Sequence, residues 1–382
     1  MLSLAELLQP ITVEDFFQDH WAQRAIALSR KGQRNFESLF SWEQLNTLLN
    51  FHQIQYPDLK LAMNGTVLNE SENEKLLHWC RQGATLIVGQ VHKRLPEVSA
   101  FAHQVQQELG ERTQVNAYCS WSSQQGFQLH YDTHEVFALQ VTGTKQWYVY
   151  PETFKAPLPS QRFTEATPPE GEPYLKCVLH PGDVLYVPRG HWHYAVTVEA
   201  PSIHLTLGVH CKTGVHFVEW LATELSHHEI WRKSLPVNLE AQPAIQNLVQ
   251  QLRQYLTEEN VSDAYHRYLK SLRQPTSPYT LPYQVGVNLF PQGVDTQFQV
   301  QSFQTIEILA GSHENHWQIL ASGKEVSLMG VSRTMVEKLF SQAQFSGWDV
   351  TAWFPEFDWQ LDLVPLLTHL VQEGIIFVDT QT

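Results

Sequence analysis

Residues 126–150, GFQLHYDTHEVFALQVTGTKQWYVY, hold a histidine and an aspartate two positions apart, His130 and Asp132, in a run of strong β formers. An extended backbone sends alternate side chains to opposite faces, so both residues leave the same face of a sheet and can hold one metal ion between them. Such a pair also recurs by chance. It acquires meaning only if a third donor arrives from elsewhere in the chain.

The third donor is offered by PGDVLYVPRGHWHYAV, residues 181–196, which ends in His193 and its neighbours. Gly182 and Asp183 form a turn, Asp183 to Pro188 reads as a short buried strand, and Pro188-Arg189-Gly190 turns the chain before His193. The spacing of Gly182, Pro188, Gly190 and His193 resembles the second signature of cupin barrels. Two histidines and one carboxylate, with no fourth protein ligand evident, form the facial triad that suits non-haem Fe(II) oxygenases and leaves coordination positions open. Two other histidines compete: His134 lies two beyond Asp132, and His191 two before His193. A set of His130, His134 and His193 would instead suit a zinc or manganese cupin. His180, His210, His227 and His228 have no partner at ligand spacing and read as surface or packed residues.

The chain of 382 residues is long enough for two or three domains, and 43% apolar residues can bury a substantial core. No apolar run is long enough to span a bilayer, and the opening MLSLAELLQPITVEDFF is acidic where a signal peptide carries positive charge. Cytoplasmic residence is the expectation. Cys80, Cys119, Cys177 and Cys211 are far apart and show neither a disulfide framework nor thiolate zinc spacing. A net charge of −14 opposes binding to phosphate backbones and favours a basic protein partner.

Read in order, the first 50 residues are mostly helical, with Ser41-Trp42-Glu43-Gln44 as a capping box and a strand near Ala25 to Ser29, forming a lid over one barrel edge. Leu59 to Met63 and Thr85 to Val88 read as strands and Glu97 to Leu109 as a helix stopped by Gly110. The barrel proper is expected to begin with the strand Thr113 to Trp121. Glu135 to Val141 and Lys145 to Tyr150, joined by a turn at Thr142-Gly143-Thr144, form a hairpin in this reading. Residues 151–175 form a long surface loop of the kind that is often functional. Ser202 to Val209 closes the barrel.

Beyond it the pattern turns helical. Phe217, Val218, Leu221, Ala222 and Leu225 fall on one helical face, and Ile245, Leu248, Val249, Leu252, Tyr255 and Leu256 on another. Gln274 to Pro278 reads as a linker. The remainder predicts a small α+β domain, with a hairpin over Trp317–Leu320 and Glu325–Leu328 and helices over Ser332–Ala343 and Leu363–Glu373, arranged as a winged helix. Residues 276–382 carry three basic and eleven acidic residues, the wrong sign for a DNA reader.

Together these stretches resemble the ribosomal oxygenases, JmjC-type cupin hydroxylases that use Fe(II) and 2-oxoglutarate. The resemblance rests on Asn116-Ala-Tyr118, the His130-Tyr-Asp132 triplet, Glu135-Val136-Phe137-x-Leu139-Gln140, Gly143-x-Lys145-x-Trp147, Val187-Pro188-Arg189-Gly190-x-x-His193 and Ser202-x-His204-x-Thr206. It implies an α+β chain with a double-stranded β-helix catalytic domain at 1–212, a helical dimerisation domain at 213–274 and an acidic winged-helix-like domain at 275–382. It makes His130, Asp132 and His193 the iron ligands and places the distal carboxylate of 2-oxoglutarate on Lys145. That fits the chemistry, because a dicarboxylate chelating a metal at one end needs a fixed cation at the other. Asn116 and Tyr118 share a strand face and could bond cosubstrate or substrate, as could His204 and Thr206, or they could be satisfied polar residues of a barrel interior. The implied reaction consumes O2 and hydroxylates a side chain of a basic protein, a ribosomal histidine or arginine, with lysine demethylation as the family's contested second activity. The rivals are a noncatalytic cupin that binds a ligand, and a metal-dependent isomerase.

Overall fold

The computed structural model describes residues 2–121, 127–236, 241–258, 260–272, 279, 281, 283–285, 290–300, 306–311, 313, 315–321 and 324–379. The expected linker at Gln274 to Pro278 and the turn at Ser322-Gly323 lie outside the described residues. The chain divides into two compact units, Met1–Gly214 and Val215–Thr382.

Nine strands of the first unit form one antiparallel sheet: β1 (Ile26–Leu28), β2 (Leu59–Met63), β3 (Thr66–Val67), β4 (Thr85–Val88), β5 (Arg112–Ser120), β6 (Glu135–Tyr150), β7 (Leu175–Leu179), β8 (Val184–Val187) and β9 (Trp192–His210). Their order is β1-β8-β6-β9-β5-β4-β2-β3, with β7 alongside the far half of β6. The sheet folds on itself as a double-stranded β-helix. Residues 135–142 of β6 pair with 203–209 of β9, which in turn pairs with β5; residues 144–150 of β6 pair with 192–199 of β9 and with β7. Two long strands thus serve both layers.

The expected hairpin at Thr142-Gly143-Thr144 is not there. Gly143 adopts a left-handed φ of +64°, but the pairing with β9 slips through a bulge at residues 140–145 and the strand continues. A left-handed glycine in a strand permits either a reversal or a bulge, and the long partner β9 decides for the bulge, which bends the strand without ending it. A Cβ at Gly143 would lie 2.5 Å from the Pro201 oxygen and 2.6 Å from the Glu199 oxygen, so the bend also needs a residue without a side chain. In the same way, the strand bearing His193 and the expected closing strand Ser202 to Val209 are one element, β9.

The helices of this unit are α1 (Leu4–Leu8), α2 (Val13–Asp19), α3 (Trp42–Phe51), α4 (Leu76–Arg81) and α5 (Pro96–Leu109). Ser41 caps α3 by accepting from the Gln44 amide at 3.2 Å, but the buried Gln44 Oε1 has no partner, so the expected capping box is one-sided. The first 50 residues are not a lid. Leu7, Leu8, Phe16, Phe36 and Phe40 are fully buried in the same core as β5, β6 and β9, and β1 pairs with β8. Nor does the sheet begin at Thr113, since β1 to β4 belong to it. What fixes the N-terminal segment is Arg34, which is buried and donates to the carbonyls of Leu7 at 2.6 Å, Gly182 at 2.7 Å and Leu28 at 3.0 Å. Three parts of the chain are tied by one guanidinium, whose planar fork suits several acceptors at once.

In the second unit, α6 (Gly214–Leu225), α7 (Glu229–Arg232), α8 (Ala241–Glu258) and α9 (Val261–Leu272) enclose a small core of Trp220, Leu221, Leu225 and Val261. The expected stripe on α6 is shifted, because Trp220 turns inward while Val218 is 60% exposed. On α8, Leu252 and Tyr255 pack, whereas Ile245, Val249 and Leu256 stay exposed. A separate core holds β10 (Gln297–Gln299), β11 (Ile306–Ala310), β12 (His316–Ala321), β13 (Lys324–Met329), α10 (Arg333–Phe340), β14 (Gln344–Ser346), α11 (Gly347–Trp353), α12 (Val364–Gln372) and β15 (Phe377–Val378). Its sheets run β14-β10-β15 and β11-β12-β13, and the expected hairpin is β12 with β13.

Replacing Gly143 with alanine forces a left-handed alanine against two backbone carbonyls. The expected loss is about 2 kcal/mol or more of unfolding free energy. Urea denaturation followed by circular dichroism measures it, and a loss below about 0.5 kcal/mol would show that the bend does not depend on this residue.

Candidate metal centre

The folding of β6 and β9 brings the three expected donors together. His130 lies just before β6 and forms an isolated bridge with His193, near the start of β9: the His193 amide donates to the His130 carbonyl at 2.7 Å and the His130 amide to the His193 carbonyl at 3.2 Å. Asp132 is tied by its own carbonyl, which accepts from the Gly190 amide at 2.9 Å. One ligating atom from each of His130, Asp132 and His193 can be chosen so that all lie within 4.8 Å of one another, and among the described residues this is the one such group of three.

The imidazoles are oriented for a metal. His130 Nδ1 lies 2.8 Å from the Gln128 carbonyl, and His193 Nδ1 lies 3.1 Å from the His191 carbonyl. A carbonyl only accepts, so each ring donates through Nδ1 and leaves Nε2 as a lone pair toward the centre. Burial pushes the imidazolium form of His193 down, and the neighbouring His130 adds to this. Desolvation alone would raise the Asp132 carboxyl, but the surrounding imidazoles, His134 first and then His130 and His193, hold it below the usual carboxylate range. Two imidazoles that can each present Nε2, with a carboxylate, are the donor set of a divalent cation, so the residues fit the group.

The centre opens into a cavity of about 440 Å³, within the range of small-molecule sites. Lys145, Trp147, Ala195 and Thr197 face it from one layer, and Tyr118, Ser120, His204 and Thr206 from the other. Lys145 is 4% exposed, and its Nζ donates to Ser120 Oγ at 3.1 Å and to His204 Nδ1 at 3.0 Å. Its ammonium forms no ion pair with any described carboxylate. Desolvation therefore lowers its pKa to about 8. Burial, then the adjacent ammonium, keeps His204 neutral, as its role as an acceptor requires. Tyr118 stacks on His204 with ring centroids 4.8 Å apart. A buried ammonium without a described carboxylate partner and the His130, Asp132 and His193 group thus line one cavity.

Tyr118 and Thr206 line the cavity, as their strand parity predicts. Asn116 does not; its Oδ1 accepts from the Gln90 amide at 2.9 Å and holds the segment after β4. Ser120, on the same face as Tyr118, joins the lining by the same parity and accepts from Lys145. Phe127 and Phe163 flank His130 with centroids 5.8 and 5.7 Å away, and no periodicity announces them because neither sits in a long strand. Of the competing histidines, His134 stacks on His210 at 4.6 Å and His191 bonds to Glu152 and Tyr174, so neither joins the group of three.

Residues 90–217 match the JmjC domain family. A bifunctional lysine-specific demethylase and histidyl-hydroxylase of Aedes aegypti is 30% identical over 62% of this chain, and ribosomal oxygenase 1 of Rattus norvegicus is 30% identical over 53%. The matches span 40% and 36% of those relatives' own lengths. Among solved structures, YcfD, a ribosomal oxygenase from Escherichia coli, in complex with cobalt and 2-oxoglutarate, superposes with a TM-score of 0.58 at 17% identity, covering 97% of this chain and 99% of that one. Its complex with cobalt and succinic acid gives a TM-score of 0.60 at 16% identity, with the same coverage.

The lowered pKa of Lys145 sets a sign. Below about pH 8 the folded protein carries a desolvated ammonium and bears its full cost. As pH rises through that value the folded state releases its proton while the unfolded chain retains it up to about 10.4, so stability rises with pH in this window. The wild type should gain up to about 3 kcal/mol between pH 7 and 10 relative to Lys145→Met, each pKa unit being worth about 1.4 kcal/mol. Urea midpoints of the two proteins across this range test it, and identical pH dependence would show a solvated lysine.

Proposed function

We propose that the chain is a member of the ribosomal oxygenase group of JmjC-domain proteins and that it is an Fe(II)- and 2-oxoglutarate-dependent protein hydroxylase. The observation that carries the proposal is the buried, carboxylate-free ammonium of Lys145 facing the His130, Asp132 and His193 group across one cavity. A ligand-binding cupin or an isomerase has no need of that cation, which costs stability unless an anion meets it.

In this reading His130 and His193 hold the iron through Nε2 and Asp132 through a carboxylate oxygen. When bound, the iron couples reduction of O2 and oxidative decarboxylation of 2-oxoglutarate to succinate and CO2 with insertion of one oxygen atom into a substrate C–H bond. Lys145 pairs with the distal carboxylate of 2-oxoglutarate, and Ser120 and His204 hold the ammonium on that side of the cavity. Tyr118 and Thr206 complete the polar wall. Trp147, Val136, Phe127 and Phe163 supply apolar lining that would exclude water from the site, the last two beside His130.

The target we propose is a histidine or arginine of a basic, ribosomal protein. The names of the relatives and the net charge of −14 support it, since an acidic enzyme steers a basic partner. We further propose a homodimer through the exposed residues Ile245, Val249 and Leu256 of α8, and a winged-helix-like arrangement for the domain that holds β10 to β15. Among the described residues no helix is long and apolar enough to cross a membrane, and the four cysteines are free thiols.

Purified protein with Fe(II), ascorbate and O2 should convert 2-oxoglutarate to succinate. His130→Ala should abolish this, and Lys145→Met should raise the KM for 2-oxoglutarate by about tenfold or more, the cost of losing a charge-assisted contact. Incubation with ribosomal proteins should add one oxygen to a histidine or arginine, read by mass spectrometry. Turnover undiminished in His130→Ala would sink the enzyme assignment, and unmodified ribosomal proteins would sink the target.

A further inference from the structure

Between β6 and β7 the chain makes its long excursion, residues 151–174, and both ends of that excursion meet on one imidazole. His191, 5% exposed, places Nε2 at 2.9 Å from Glu152 Oε2 and Nδ1 at 2.7 Å from the Tyr174 hydroxyl. Glu152 follows β6 by two residues, and Tyr174 directly precedes β7. The pattern has one consistent assignment for a neutral ring. The carboxylate only accepts, so Nε2–H donates to it, and Nδ1 then accepts from the Tyr174 hydroxyl. The Tyr174 oxygen in turn accepts from the Ala25 amide at 3.0 Å, at the entry to β1.

The backbone of the same residue touches the metal centre. The His191 carbonyl accepts the Nδ1–H of His193 at 3.1 Å and so determines which nitrogen of that ring faces the other donors. Further contacts bind the excursion to this segment. Trp192 Nε1 donates to Thr153 Oγ1 at 2.9 Å, the Tyr131 hydroxyl donates to the Gln161 carbonyl at 3.1 Å, and a Cβ on Gly190 would lie 2.9 Å from Pro157 Cδ. Phe163, carried by the excursion, packs on Trp192 and Tyr131 with centroids 6.4 Å from each and reaches the cavity beside His130.

We propose that His191, clasped by Glu152 and Tyr174, is a positioning residue that holds the His193 ring and the Phe163 wall in one geometry, so that the excursion is a fixed part of the metal site. The proposal rests on the reading of His130, Asp132 and His193 as metal ligands. It assigns His191 no contact with metal or substrate. Its side chain acts by fixing the carbonyl that orients His193, the outer-contact role whose loss commonly costs ten- to a hundredfold in metal affinity.

Co(II) is the probe, because its visible absorption reports ligand geometry independently of turnover. Wild type, His191→Leu, Tyr174→Phe, Glu152→Ala and Glu152→Gln are titrated with Co(II) without O2, and their melting is recorded. His191→Leu should bind Co(II) about tenfold more weakly with an altered visible band. Tyr174→Phe and Glu152→Ala should each lose about threefold or more on the same grounds, while Glu152→Gln, whose amide oxygen still accepts from Nε2–H, should keep wild-type affinity and band. Limited proteolysis should cut the excursion faster in the three weakened variants. If His191→Leu fails to fold, Tyr174→Phe and Glu152→Ala carry the test. Variants that melt lower but bind Co(II) as the wild type does, with an unchanged band, would show a purely structural contact and overturn the proposal. A wild type that binds no Co(II) would instead overturn the metal-centre reading on which the clasp rests.

Discussion

The antiparallel pairing of β6 with β9 is the constraint on which the site depends. Each strand runs through both layers of the sheet, so their common bend decides which side chains face one another across the interior. Residues 145 and 147 approach from one layer and 204 and 206 from the other only because β6 passes Gly143 without reversing. The start of β9 then lies against His130, and mutual amide–carbonyl bonds hold the His130 and His193 imidazoles close to each other. A hairpin at Gly143 would have left Lys145 on a different strand from Glu135 and broken that correspondence.

Around this frame the protein accepts electrostatic cost where a ligand can repay it. The ammonium of Lys145 is buried with hydroxyl and imidazole partners but no carboxylate, while Asp132 sits among imidazoles that keep it ionised. One carboxylate, Asp132, and one ammonium, Lys145, thus line the same cavity. Elsewhere buried charges are satisfied: Arg34 spends its donors on backbone carbonyls, and Glu135 accepts from the Tyr186 hydroxyl at 2.5 Å and the Arg189 amide at 3.2 Å. A cation left open in an interior that satisfies its other charges points to function rather than to loose packing.

Much of the site was legible from parity and motif spacing. Tyr118 and Ser120 share a face of β5 because they are two apart, and the turn before His193 was marked by its proline and glycine, but His130 and Asp132 lie ahead of β6 with only an isolated bridge at His130, so strand parity is not what brings that pair together. Periodicity also placed the helices and the β12–β13 hairpin. It misjudged α6 because a helical face is wide enough to admit either Val218 or Trp220, and the larger side chain took the interior. It misread the N-terminal segment because the burial of Phe16, Phe36 and Phe40 comes from packing in a core shared with strands remote along the chain, as Phe16 packs on Phe137 and Tyr186.

The sequence by itself determined the chemistry on offer: the two histidines and one aspartate, the lysine two residues before Trp147, the excess of acid, and the alternation that makes the segment a β structure. These are local properties, carried by residue type and by the fixed period of an extended chain. Only the tertiary structure decided whether Gly143 turns or bends, that Asn116 holds a neighbouring segment while Ser120 takes Lys145, and that Phe163 and His191 bring a long excursion against His130 and His193. Each of those outcomes depends on a partner remote along the chain, and the pairing of distant strands, set by burial and register across the whole sheet, is not written in the spacing of any one stretch.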